Sequence, residues 1–184
     1  GILTIKPNEC GKDCKWEYNE TTKELIINGS GEMVNFVEGN TPWINHKNNI
    51  EHIIITGITS IGTNSFKGFT NLKEFEISEN ITTIGNNSFS FSSNLKLIEY
   101  KGTSNICKTN NNKPFESIGT EFIYANKEYK EKQFCGLNVK MRCGEKCYWN
   151  YNESIGLTIS GEGTMYEFTD GNTPWNNYKT QIKL

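Results

Sequence analysis

The chain has 184 residues, a net charge of −2 and a pI near 5.8. This length suits one or two domains with a real core, and nothing in the near-neutral charge points to a nucleic-acid or anionic-membrane partner. No apolar run approaches the roughly 20 residues that cross a bilayer as a helix, so no transmembrane segment is expected and the chain reads as a mature or excised piece.

Asn occurs 25 times, Ala once and Arg once against 18 Lys, a skew that fits coding bias and carries no functional meaning. Self-similarity sets the architecture. Cys10, Gly11, Cys14, Trp16, Tyr18 and Asn19 recur 133 positions later as Cys143, Gly144, Cys147, Trp149, Tyr151 and Asn152. After a one-residue deletion, Leu25, Ile27, Gly29, Gly31, Met33, Phe36 and Gly39 through Trp43 recur 132 later, from Leu157 to Trp175.

In chain order, residues 1–9 read as the tail of a preceding segment and 10–49 as an N-terminal cap. Short strands are predicted from Trp16 to Tyr18 and from Leu25 to Ile27, joined by a polar turn through Asn19 to Glu24. Gly29-Ser30-Gly31 breaks the second strand, and Thr41-Pro42-Trp43 closes the cap. A finer period of 22–23 residues follows over 50–102. Ile50-x-x-Ile53-x-Ile55 leads to Ile58, Ile61-Gly62 and Phe66; Leu72-x-x-Phe75-x-Ile77 leads to Ile81, Ile84-Gly85 and Phe89. A third turn opens at Leu95-x-x-Ile98-x-Tyr100 and then departs from the pattern. Apolar residues at positions 1, 4 and 6 turn alternate side chains of a strand inward, and turns this short bury an apolar face only by stacking. Residues 103–142 read as a closing segment, with a polar loop from Asn110 to Lys113 and a charged stretch of helical-turn character before Phe134-Cys135-Gly136. Residues 143–184 read as the cap of a second, incomplete module. Having no turns of its own to cover, that cap is expected to pack on the end of the first module or to be less ordered than its twin. Its apolar residues Ile182 and Leu184 lack their own solenoid.

Six cysteines, an even number in a loop-rich chain, favour disulfides and an oxidising compartment. Cys10 with Cys14, Cys143 with Cys147 and Cys107 with Cys135 is the natural pairing, although crossed pairs between the two Cys-x-x-x-Cys motifs stay open. A four-thiolate zinc site would make each module depend on a partner copy. Asn19, Asn28, Asn80, Asn86 and Asn152 begin Asn-x-Ser/Thr sequons for glycosylation; chance supplies several in so Asn-rich a chain, and the recurrence of Asn19 as Asn152 is the more telling.

The repeat Leu-x-x-Phe-x-Ile…Ile-x-x-Ile-Gly-x-x-x-Phe resembles the 23-residue unit of the BspA-type leucine-rich repeat family, found on surfaces of some bacteria and parasitic protists. Cys-Gly…Trp-x-Tyr…Leu-x-Ile-x-Gly-x-Gly-x-Met…Pro-Trp resembles that family's N-terminal segment, and Tyr129 through Cys135-Gly136 its closing segment. The resemblance implies a mainly β fold: a short leucine-rich-repeat solenoid with β-hairpin caps, in tandem modules. It also implies an extracellular or cell-surface protein engaged in adhesion or matrix binding, without catalytic residues or cofactor.

The residues agree with a non-enzymatic reading. Neither His46 nor His52 recurs in the second copy, and a Cys–His pair needs a free thiol. No phosphate loop, nucleophile elbow or metal-binding motif is present, so no cofactor or metal ion is expected. Trp16, Trp43, Trp149 and Trp175 suit sugar stacking or, more simply, packing of a duplicated cap. If Leu72, Phe75 and Ile77 point inward, Glu74, Glu76 and Ser78 point out, with His52, Ile54 and Thr56 one turn earlier and Leu97, Glu99 and Lys101 one turn later. Those nine residues form the candidate binding patch, with an acidic centre and a preference for basic protein partners. The expected function is adhesion or protein–protein binding to host matrix or cells. The alternatives are a carbohydrate-binding cap around Trp43 and Trp175, and a structural spacer.

Overall fold

The computed structural model describes residues 6–107, 112–126 and 128–182. Residues 1–5 of the tail, residues 108–111, which include Asn110 and Asn111 of the polar loop, and Leu184 lie outside them.

The first cap is a hairpin with a short flanking strand. β1 (Glu9–Gly11), β2 (Cys14–Asn19) and β3 (Glu24–Gly29) pair antiparallel, and the Cys10–Cys14 disulfide ties the first two. The predicted polar turn forms because Asn19 Oδ1 accepts the amides of Thr21 and Thr22, the local device that favours Asn in turns. Strand alternation seals Leu25 and Ile27 inside. Trp43 stands edge-on to Trp16 and Phe36 and is fully buried.

β4 (His52–Thr56) adds parallel to β3, with Leu25 opposite Ile53 and Ile27 opposite Ile55. On the return side, β5 (Ser60–Ile61) pairs parallel with β7 (Thr83–Ile84). On the strand side, β6 (Glu74–Ile77), β8 (Leu97–Tyr100) and β9 (Phe122–Ala125) pair parallel in that order. The Ile-Gly dipeptides of the repeat mark places where successive turns touch: a Cβ on Gly62 would collide with the Val34 carbonyl, and one on Gly85 with the backbone of Gly62 and Thr63. An aromatic ladder runs through the stack, with ring centroids 5.7 Å apart from Trp43 to Phe66, 5.1 Å from Phe66 to Phe89 and 5.4 Å from Phe89 to Phe115. Buried hydroxyls satisfy the tight return corners: Ser65 donates to the Gly62 carbonyl at 2.6 Å, and Ser92 takes the Phe69 amide while donating to the Phe66 carbonyl.

The stack continues beyond residue 102. The third turn is longer than its predecessors, and its return places Phe115 on the ladder. β9 then supplies a fourth parallel strand on this side of the stack. In the charged stretch, where Lys127 lies outside the described residues, Asn126 Oδ1 accepts the Glu128 amide, and the described residues 128–132 form no helix. The Cys107–Cys135 disulfide joins the third turn to a hairpin of β10 (Gln133–Phe134) and β11 (Leu137–Arg142).

β11 is the joint between the modules. It pairs parallel with β9 on one side and antiparallel with β12 (Cys147–Asn152) on the other, and β13 (Gly156–Gly161) completes the second cap. One seven-stranded sheet therefore crosses the module boundary, and the second cap is attached to the end of the first module. The cap copies its twin in detail. Trp149 and Trp175 lie 5.8 Å apart edge-on, as do Trp16 and Trp43, and the Tyr151–Tyr178 stack replaces Tyr18–His46. Cys143–Cys147 repeats the Cys10–Cys14 clamp.

Candidate interaction surface

Strand alternation divides the predicted patch cleanly. Phe75, Ile77, Ile98 and Tyr100 are buried while Glu74 and Glu76 are exposed. On β4 the same alternation leaves His52, Ile54 and Thr56 exposed, with Ile54 at 42% accessibility. Leu97, Glu99, Lys101 and Ser78 are half-buried. The register sets Glu74 beside Leu97 and Glu76 beside Glu99, so residues from the second and third turns share one face.

The face is not a uniform sheet. β4 belongs to the four-stranded sheet of the cap, and β6 begins the seven-stranded sheet, so the two adjacent turns exchange no strand ladder. A groove of about 450 Å³ occupies this seam, lined by His52, Ile53, Ile54, Glu74, Phe75 and Leu97 among others. Behind it, the return strands β5 and β7 remain hydrogen-bonded.

The acidic centre expected from Glu74, Glu76 and Glu99 is corrected by the neighbouring strands. Glu99 receives Arg142 at 2.6 Å and Lys101 at 2.9 Å, and Lys101 also reaches Glu76 at 3.2 Å. Burial alone would push the Glu99 carboxyl up, but the hydrogen bond from Lys101 and the charges of Arg142 and Lys101 outweigh it and hold it below the ordinary carboxylate range. Burial likewise works against the Lys101 ammonium, and its bonds to Glu99 and Glu76 overcome this and raise it. Glu99 is thus a bridge between two cations, Glu76 shares Lys101 with it, and Glu74 is the carboxylate of the three without a cation partner among the described residues.

Beyond Glu99 the same face continues into residues that the repeat pattern does not single out. Tyr124 lies 4.0 Å from Tyr148 between ring centroids, and Lys140 sits over Phe122 at 4.2 Å. The surface therefore has an acidic and aliphatic half across β4 and β6 and a basic and aromatic half across β9, β11 and β12. The only cue in the sequence was the alternation within Phe122-Ile123-Tyr124-Ala125.

The sugar-stacking reading fails at Trp43. Its ring is sealed between Trp16, Phe36 and Phe66, and its indole N–H donates to the Ser65 carbonyl at 2.8 Å, which leaves no face for a pyranose. Trp175 is half-buried. All six cysteines are held in disulfides, so no thiolate is available as a nucleophile or metal ligand. The sequon residues Asn19, Asn28, Asn80, Asn86 and Asn152 are all exposed. Among the described residues, no helix is long and apolar enough to cross a membrane.

Comparison with known proteins agrees with this architecture. A family model described as the BspA-type leucine-rich repeat region matches residues 44–135, in six copies. The crystal structure of a leucine-rich repeat protein from Eubacterium ventriosum is similar in fold, with a TM-score of 0.50 and 17% sequence identity. The match covers 82% of this chain and 47% of that one, so the chain spans about half the length of that protein. No curated protein matches the chain.

Proposed function

Because the chain belongs to the BspA-type leucine-rich repeat family, a family of repeat modules suited to protein–protein interaction, we propose that it is a non-catalytic extracellular module whose exposed strand face binds a protein in adhesion to a host cell or matrix. The observation that carries this reading is the seam groove, where exposed Ile54 and the pair Glu74 and Glu76 stand beside an interrupted sheet. An apolar contact flanked by charge is the usual composition of a protein-binding patch. Three disulfides support an oxidising compartment, and with it a location outside the cell. Five exposed sequons fit the same setting.

The test is adhesion of cells, and capture of their surface proteins, by the oxidised full chain compared with an Ile54→Asp, Glu76→Lys variant. Equal adhesion and an equal set of captured proteins by the folded variant would overturn the reading. Silence on a glycan array is expected, since the cap Trp43 is sealed.

A spacer role is the second reading, favoured by the sheet that crosses the module boundary without a linker. It separates from the first in the same assay, because a spacer loses nothing when Ile54 and Glu76 are replaced.

A further inference from the structure

The two caps have the same internal geometry but differ in what covers them. In the first cap Leu25, Ile27 and Trp43 have no solvent exposure and Met33 is 4% exposed. Their counterparts in the second cap lie open: Ile159 is 44% and Met165 39% exposed, while Leu157 and Trp175 are half-buried. The cover in the first cap is visible in the same molecule. β4 runs parallel along β3, the Trp43 indole donates to the Ser65 carbonyl, the Phe36 amide donates to the Thr63 carbonyl at 3.0 Å, and the Asn64 side-chain amide donates to the Phe36 carbonyl at 2.9 Å. Every one of these partners belongs to the first leucine-rich turn.

The edge of the second cap is also unguarded. Sheet edges exposed to solvent are normally blunted by charge or proline. β13 reads Gly-Leu-Thr-Ile-Ser-Gly, with neither, and among the described residues it pairs only with β12. Of the two edges that face each other across the seam, β6 carries Glu74 and Glu76, whereas β4, like β13, has neither a carboxylate nor a proline and lies beside the groove already described. Sequence register continues the correspondence: Ile182 stands where Ile50 opens the first turn, 132 residues earlier.

We infer that Leu157, Ile159, Met165 and Trp175 form a docking surface for a leucine-rich turn of this chain's own kind, which adds a parallel strand along the free edge of β13. The occupant carries the Ile-x-Ile strand of the first turn in the register of the first cap, so that its isoleucines stand opposite Leu157 and Ile159. Its return corner brings a carbonyl to the Trp175 indole N–H. Once docked, the turn presents its own free strand edge to the next, so the second cap is a template on which further turns stack. This inference does not depend on what the strand face of the first module binds.

The experiment appends residues 53–142 of the same sequence after Leu184, where Ile53 follows His52 in the first module. Amide exchange in Leu157–Gly161 is expected to slow by on the order of tenfold or more as β13 moves from edge to interior, and Ile159→Lys in the extended chain is expected to abolish that slowing. Unchanged exchange in an extended chain whose appended strands are themselves protected overturns the inference. The chain as it stands supplies a second measurement, independent of whether the extension folds. Ile159→Lys is expected to leave its thermal unfolding nearly unmoved, whereas the twin Ile27→Lys unfolds the first cap. Equal losses from the two variants would show the face already covered and overturn the inference, as would β13 protection that rises with concentration and assigns the face to a second copy.

Discussion

Trp43 and Trp175 occupy the same corner of one duplicated cap, 132 residues apart, yet among the described residues only Trp43 is locked by a hydrogen bond to the turn above it, its indole donating to the Ser65 carbonyl at 2.8 Å. The difference lies in the surroundings and not in the corner, since both follow Thr-Pro and open a single 3-10 turn, Ile44–His46 in one case and Asn176–Tyr178 in the other.

Truncation should separate the twins. Trp43→Ala empties a sealed site and is expected to cost about 3–5 kcal/mol, while Trp175→Ala, at a half-buried site packed on the small cluster of Cys143, Cys147 and Trp149, should cost less than half as much. Denaturant unfolding of the two variants measures both; similar losses would mean that the second corner is as tightly packed as the first.

Phe89 is the centre of the aromatic ladder, with Phe75 at 4.7 Å, Phe66 at 5.1 Å and Phe115 at 5.4 Å. Phe89→Ala should destabilise by about 3–5 kcal/mol, and Phe89→Leu by about 1–2 kcal/mol, because leucine refills part of the volume. Chemical denaturation checks the ranking, and an alanine variant no worse than leucine would show that the turns do not depend on the ladder.

The three disulfides should contribute unequally. Cys107–Cys135 closes a loop with a sequence separation of 28, against 4 for each of the others. Chain entropy gives the longer loop about 3–4 kcal/mol and each shorter one about 2 kcal/mol. Replacing Cys107 and Cys135 by Ala should therefore lower the melting temperature more than replacing Cys143 and Cys147.

Glu99 sets an acid limit on stability. Its folded carboxyl lies below its ordinary value, so the stabilisation is fully present above about pH 4.5 and disappears as pH falls below that value and through the folded pKa. Melting temperatures from pH 6 down to pH 3 should fall more for the native chain than for Glu99→Gln. Lys101 has the opposite sign: its raised ammonium adds stability that is lost only in strong alkali, above its ordinary value. Parallel acid curves for native chain and variant would mean that the bridge to Arg142 adds nothing.

Much of this was legible in the residues. Ile50-x-x-Ile53-x-Ile55 and its successor announce stacked turns because a strand's period of two and a turn's fixed length leave few other solutions. The third turn was obscured by length: Phe66 and Phe89 are 23 residues apart, Phe89 and Phe115 are 26, and a longer loop shifts the aromatic out of phase while the fold returns it to the ladder. The charge of the candidate patch was legible only in part. Lys101, two residues on and on the same face, is the one partner of Glu99 that the local sequence offers, and nothing local points to Arg142, which arrives from 43 residues away through β9 and the turn back to β11. The sequence leaves Trp43 open to sugar stacking as well as to packing for the same reason, because its burial is supplied by Phe66 on the following turn.

The seam between β4 and β6 lies on one side of the stack only, since β5 and β7 stay bonded behind it. The first turn is thus fastened to the second along its spine and left unstitched in front. Widening the front breaks no ladder hydrogen bond, so the molecule holds its compliance at the place where Ile54, Glu74 and Glu76 meet whatever comes to rest there.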